Sequence, residues 1–313
     1  MGAIMSRSFR AAAGAAFVFT FAGHVAAADL GVGPTPVFVA VDGLNYKIEA
    51  FGGSSDNRVA GGRHNSSWDV GLAGAVAIPL GQSFGLQVDV SAASGEGQFS
   101  GGGAAHLFWR NPQVALAGLY GSYTRRDLDG VQQARLGVEG QYYLRNFTLG
   151  GVAGFERTWS DTTIAFIPFF GPFLSGGQKN RGFIAADASW YATDNFKLSL
   201  GYRFFGGRSA AAAGAEYMVR TGTATSYSFF AEARAGEDKY LAGLAGVRVY
   251  FGTKDKTLIR RHREDDPPNY LPESGLGARS TTDACNERKF STRVAGSKPV
   301  GIALGPRGCR GTV

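Results

Sequence analysis

Thirteen charged side chains recur at alternating positions between residues 44 and 251. The acids are Glu49, Asp89, Glu139, Glu156, Asp187, Glu216 and Glu232, and the bases are Lys47, Arg135, Lys197, Arg203, Arg234 and Arg248. Neighbours on either side are mostly apolar or small, so each charge falls on one face of its stretch and the apolar residues on the other. Ionisable groups gathered on a common face can do two things. As rings of charge they line a watery passage and select solutes. As mutual ion pairs they satisfy one another and stiffen a wall. The signs nearly balance, so no cation or anion preference follows, and both roles stay open.

Signals for bond-making chemistry are sparse. The four histidines are His24, His64, His106 and His262, and none stands at metal-ligand spacing from another ligand type. The two cysteines, Cys285 and Cys309, have no nearby paired histidine. An exported compartment would permit a disulfide between them, although sequence cannot show that it forms. Gly101-Gly102-Gly103 lacks a Walker lysine and reads as loop flexibility. The sequence therefore offers no catalytic, cofactor-binding or metal-binding set, and the expectation is a protein that is not an enzyme and takes no cofactor.

The elements that carry the charges are strands. Period-2 alternation is clear in 44–51, 68–79, 84–93, 131–144, 183–192, 196–205 and 225–235. Shorter or weaker runs at 104–110, 113–124, 147–157 and 210–219, with the closing run 240–251, bring the count to about twelve. Connections alternate in length. Those at 80–83, 111–112, 145–146, 193–195 and 220–224 are nearly all tight, whereas 52–67 and 158–182 are long. Glycine, with 47 residues, is about twice its usual share, which disfavours a helical protein.

Two all-β architectures alternate in this way, a soluble sandwich and a transmembrane barrel. Aromatics near the tight turns favour the barrel: Phe84, Phe108, Trp109, Tyr142, Tyr143, Phe147, Trp190, Tyr191, Phe196, Tyr250 and Phe251 would form one girdle. Phe51, Trp68, Tyr123, Phe155, Trp159, Phe183 and Tyr240 would form the other. Several strands also run longer than the usual sandwich strand of about six residues.

The run Gly246-Val-Arg-Val-Tyr-Phe251 resembles the closing strand of Gram-negative outer-membrane β-barrels, which typically ends on an aromatic, here Phe251. The likeness extends by pattern over about 44–251 and is loosely porin-like. It implies an antiparallel up-and-down transmembrane β-barrel of about 12 strands, contacts with outer-membrane lipid and the barrel-insertion machinery, and passive passage of small hydrophilic solutes. The alternative is a non-conducting envelope barrel that contributes structure or binds partners. Over three residues, His64-Asn65-Ser66 is also similar to the His-x-Ser arrangement of the outer-membrane phospholipase.

The remaining segments fit export. Arg7 and Arg10 precede an apolar run at 11–23, and Ala26-Ala27-Ala28 offers a cleavage site after Ala28. That reads as a signal peptide at 1–28 rather than an anchor, because the run is short for a span of roughly 20 residues. Residues 29–43 read as a periplasmic lead. The formal charge of +7 resides in the ends, since residues 29–251 hold 18 basic and 18 acidic side chains. The body therefore gives no reason to expect nucleic acid. Residues 252–313 read as a basic, mostly disordered periplasmic tail, with Leu258-Ile259 packing below the barrel and the cell wall as its candidate partner. The apolar stretch 164–174, with Phe166, Phe169, Phe170 and Phe173, is expected to constrict or pack the mouth.

Overall fold

The computed structural model describes residues 38–58, 64–95, 98–126, 131–160, 163–167, 171–175 and 178–272. The expected signal peptide at 1–28, most of the expected lead, Phe169, Phe170, Cys285, Cys309 and the chain beyond Pro272 lie outside these residues.

Twelve strands form one closed antiparallel barrel. They are β1 (Asn45–Arg58), β2 (His64–Leu80), β3 (Phe84–Gly95), β4 (Gln98–Asn111), β5 (Ala115–Arg126), β6 (Val131–Leu144), β7 (Phe147–Ser160), β10 (Gln178–Thr193), β11 (Phe196–Phe205), β12 (Arg208–Arg220), β13 (Ser226–Gly236) and β14 (Tyr240–Phe251). Each pairs with its sequence neighbours, and β1 closes on β14 from Tyr46 opposite Phe251 to Asp56 opposite Leu241. Closure leaves no unpaired edge, which is how a sheet satisfies its backbone in lipid. A small hairpin, β8 (Thr163–Ile167) with β9 (Gly171–Ser175), interrupts the chain between β7 and β10 and pairs only with itself. Helix α1 (Leu258–Glu264) follows the barrel.

Alternation sorts the wall. Leu136 is 69% exposed, Leu200 70% and Phe155 81%, all on the outside, while Ala73, Ala75 and Ala77 of β2 are buried on the inside. The strands run further than their hydrophobic pattern indicates. The stretches read as long connections at 52–67 and 158–182 are largely strand, and Gly101-Gly102-Gly103, also read as loop, sits in β4 opposite Ala92-Ser91-Val90 of β3. Backbone ladders need no particular side chain, so pairing continues where the outward face turns polar and alternation disappears.

The girdles are also corrected. Phe108, Tyr143, Tyr191 and Tyr250 point into the barrel, as do Phe51, Phe183 and Tyr240, all at most 7% exposed. Adjacent residues of a strand take opposite faces, so of Tyr142-Tyr143, Trp190-Tyr191 and Tyr250-Phe251 one member of each pair must turn inward. Tyr142, Trp190 and Phe251 face out.

Leu258 and Ile259 pack at the base of the barrel against Tyr191, Met218 and Tyr250, as the sequence reading expected, but residues 265–272 do not extend away below it. After β14 the chain turns back, α1 seats at the short-turn end, and residues 265–272 enter the lumen. The physical reason is the inward aromatics and paired charges, which give the segment both apolar burial and polar partners.

Candidate functional site

The site is the lumen and the segment inside it. Its wall is organised by cross-strand register. Glu49 lies opposite Arg248, Lys197 opposite Glu216, and Arg135 opposite Glu156. Opposite charges in such pairs attract directly.

Glu216 is the centre of the largest cluster. Its Oε2 lies 2.7 Å from Arg248 Nη1 and 3.3 Å from Lys197 Nζ, while Oε1 accepts from Ser228 Oγ at 2.7 Å and Tyr250 Oη at 2.8 Å. Arg248 continues to Glu49 at 3.1 Å, which neighbours Lys47 at 3.7 Å. Elsewhere Arg203 bridges Asp187 and Glu232, both at 2.9 Å, and Arg234 reaches Glu232 at 2.6 Å. Gly201 makes this arrangement possible, since a Cβ there would lie 2.2 Å from Asp187 Oδ1 and 2.8 Å from Arg203 Nη1. Arg135 pairs with Glu156 at 2.9 Å and stacks over the Phe205 ring at 4.5 Å. The tight β11–β12 turn, Gly206-Gly207 with φ of +61° and +79°, brings the Gly206 N–H to Glu156 at 3.2 Å.

The sequence reading placed thirteen charges on this face, and the structure puts all of them in ion pairs. Asp89 and Glu139 meet through a residue that pattern did not assign. His106 is fully buried between them, Nε2 at 3.0 Å from Asp89 and Nδ1 at 2.8 Å from Glu139. Arg110, also inward, was unassigned too: it alternates with His106, but β4 holds no recognised lumen residue to reveal their face, whereas Gln87 shares the alternation of Asp89. Phe166 and Phe173 of the expected constriction lie on β8 and β9, and their side chains lie outside the described residues. Phe251 ends β14 on the outer face, as the closing-strand pattern requires. His64 and Ser66 lie on β2, backbone-paired with Arg58 and Asp56.

The lead and the tail fill the short-turn end together. Arg110 Nη1 donates to the carbonyls of Ala40 and Asp265, each at 3.1 Å. Val41 packs with Ala77, Phe108, Leu116 and Tyr143. Asp42 accepts from Lys254 at 3.1 Å and lies 3.2 Å from Lys256. Burial would raise the Asp42 carboxyl, but the two lysines hold it below the ordinary carboxylate value.

Helix α1 is pinned from several sides. The Leu258 N–H donates to Asn195 at 3.2 Å, Arg261 to the Ala224 carbonyl at 2.7 Å, and Arg263 to the Phe147 carbonyl at 2.8 Å. His262 sits between the Tyr191 and Tyr250 hydroxyls at 2.9 and 3.1 Å. Tyr250 gives its single proton to Glu216, so it accepts from His262 Nε2, and with the ring neutral Tyr191 donates to Nδ1. The surroundings of the ring favour its neutral form. Burial, followed by the Lys197 charge, depresses its pKa well below the usual range.

Beyond α1, Asp266 pairs with Lys47, and the Pro267 carbonyl accepts from Gln87 at 3.2 Å. Tyr270 and Leu271 join a buried cluster with Ala104, Tyr120, Val152, Phe183, Ala185 and Phe205. Beside them lies a cavity of about 80 Å3, lined by Glu49, Lys197, Glu216, Glu232, Arg248, Asn269 and Pro272 among others. That is room for a few waters, at roughly 10–15 Å3 for each water centre.

No protein-family model and no curated protein matches the chain. Among solved structures it is similar to the translocator domain of the autotransporter NalP from Neisseria meningitidis, with 13% identity and a TM-score of 0.50 over 67% of this chain and 88% of that one. The beta domain of the Bordetella autotransporter Brka aligns at 13% identity and a TM-score of 0.44, over 68% of this chain and 100% of that one. An outer membrane channel from Pseudomonas putida F1 aligns at 9% identity and a TM-score of 0.46, over 71% and 99%. At 13% identity the likeness to the NalP translocator domain speaks to the fold alone, a closed β-barrel.

Proposed function

We propose that this chain is an outer-membrane β-barrel, exported by a signal peptide cleaved after Ala28, that is non-conducting in the form described. Its role is structural or partner-binding in the envelope, without catalysis. The membrane location is supported by the outer wall, where a continuous apolar surface far larger than the few hundred Å2 of a soluble monomer would otherwise meet water. The sealed lumen is supported above all by one observation: Tyr270 and Leu271 are at most 4% exposed in the centre of the barrel.

The second reading is a passive channel for small hydrophilic solutes. The polar lining of the 80 Å3 cavity favours it, and conduction by that route requires the segment to withdraw. Planar-bilayer recording of the purified, refolded chain separates the two. The sealed reading expects no steady conductance from the full chain and a steady conductance once residues 254–313 are deleted. Steady conductance from the full chain would establish the channel reading instead.

A further inference from the structure

We propose that the outer wall carries a site for the phosphorylated headgroup of an outer-leaflet glycolipid, with Arg125 and Arg157 as its phosphate ligands. The site rests on the outer-membrane reading above and deepens it, from a barrel that meets lipid everywhere to one that holds a particular lipid class at one place.

Charge is nearly absent from the outer face. Cross-strand register gives the face of each residue, and three Asp, Glu, Lys or Arg residues point outward among the described side chains of the twelve wall strands: Asp56, Arg125 and Arg157. Asp56 lies on β1, four strands from β5. The two arginines fall together. Each is the eleventh residue from the short-turn end of its strand, Arg125 on β5 and Arg157 on β7, with β6 between them. A transmembrane strand spends about 9–11 residues in the hydrocarbon layer, so the eleventh position reaches the headgroups of the far leaflet. With short turns on the periplasmic side, that leaflet is the outer one.

Register also builds the surroundings. One outward row runs Arg125, Gln132, Trp159, and the next runs Tyr123, Ala134, Arg157, Asn180. A strand spacing of about 4.8 Å and a rise of about 3.4 Å per residue set the two arginine Cα atoms about 12 Å apart, a gap that two such side chains can close on one headgroup. Ala134 lies between them and is too short to fill the space. Tyr123 Oη donates to Gln132 Oε1 at 2.7 Å, and the Tyr123 and Trp159 rings stand 6.2 Å apart. The Arg157 guanidinium lies 5.8 Å from the Trp159 ring, within cation–π range. Toward mid-membrane the next row holds Leu136 and Phe155, a highly exposed apolar surface on which acyl chains can lie.

The chemistry selects a phosphate. A guanidinium is always charged, and its planar fork matches phosphate oxygens in pairs. It offers five N–H donors, so it can hold a neighbour in the wall and a lipid phosphate together. Cations at the lipid boundary with apolar surface beneath them fit an anionic lipid, whereas a soluble phosphate would use the cations alone. Gln132 and Asn180 add amide groups that can hydrogen-bond sugar hydroxyls, which favours a glycolipid over a simple anionic phospholipid.

The test incubates the refolded full chain in non-ionic detergent with bisphosphorylated lipid A and reads bound lipid by native mass spectrometry. Lipid A stripped of phosphate is the parallel ligand, and phosphatidylglycerol and inorganic phosphate are competitors. Arg125→Gln/Arg157→Gln removes the site, and Arg220→Gln/Arg260→Gln removes the same charge from exposed positions at the short-turn end. The expected result is saturable binding of lipid A that is weakened about tenfold or more in the first variant and kept in the second. Loss of the phosphates should weaken binding equally, a comparison that needs no variant to fold. Equal binding by parent and first variant, or equal binding of the stripped lipid, overturns the proposal, and so does displacement by phosphatidylglycerol or phosphate as effective as by lipid A. Flotation with phosphatidylcholine vesicles separates the two levels: failure to insert sinks the membrane reading, while insertion without phosphate-dependent binding sinks this site alone.

Discussion

Tyr270 stands edge-on to Tyr120, with ring centroids 5.8 Å apart and planes at 85°. One ring belongs to the wall and the other to the segment that fills it. Tyr120 in turn touches His106 edge-on at 4.9 Å and Phe183 at 6.3 Å, so the tail's aromatic is tied to the buried His106–carboxylate cluster and to the apolar upper lumen. Edge-to-face pairs of this kind contribute about 0.5–1.5 kcal/mol beyond area burial.

Tyr270→Ala should therefore loosen the segment without unfolding the barrel. Loss of a buried ring costs about 3–5 kcal/mol in a core. Here that loss acts on segment docking. Limited proteolysis in detergent should cut the tail of the variant much faster than that of the parent, while the barrel keeps its heat-dependent gel shift. Equal cleavage rates would count against Tyr270 as the anchor.

Arg203→Ala tests whether the wall charges hold structure or select ions. Arg203 is 4% exposed and bridges two carboxylates. Removing it leaves Asp187 without a bridging partner it had and weakens the hold on Glu232, a loss of about 3–5 kcal/mol for a broken buried pair. The barrel should unfold at a markedly lower temperature. If residues 254–313 are deleted to permit conduction, ion selectivity should change little. Altered selectivity at unchanged stability would favour the pore-lining role.

Phe251→Ala addresses the closing strand. Phe251 ends β14, faces outward and pairs with Tyr46 of β1 at the seam. Folded outer-membrane yield should fall several-fold, read as the heat-modifiable fraction on a gel. Normal levels would detach insertion from this residue.

The tail's hold should also depend on pH with two opposite limbs. Burial, outweighing the Lys256 charge, raises Asp265 to about 6. A raised carboxyl favours docking when protonated, so retention strengthens as pH falls from above 6 toward about 4. Asp42 is shifted the other way, and its contribution is present above the unfolded value near 4 and lost as pH falls through its lower folded value. His262, held neutral in the docked helix, opposes the first limb, because release lets it take up a proton below about 6.5. In a His262→Gln background protease protection of the tail should thus peak near pH 4. Asp42→Asn should remove the acid limb, and Asp265→Asn should flatten the other.

The sequence by itself indicated an all-β chain of about twelve barrel strands and the face of each strand on which its charges fall, because period-2 alternation fixes which residues share a face. The barrel rather than a sandwich, and the closing aromatic, rested on the likeness to outer-membrane barrels. Alternation also carries limits. It marked Tyr143, Tyr191 and Tyr250 as girdle residues by position, although their parity turns them inward, and it ended strands where their outer face became polar. Only the tertiary structure decided which charges pair, since Arg203 reaches Glu232 across β12, and Asp89 meets Glu139 through His106 across three strands. It alone decided the fate of residues 252–272. Tyr270, Asp266 and Gln87 carry no periodic signal toward one another, and their contacts exist only because barrel closure creates a lumen lined with matching charge and aromatic surface.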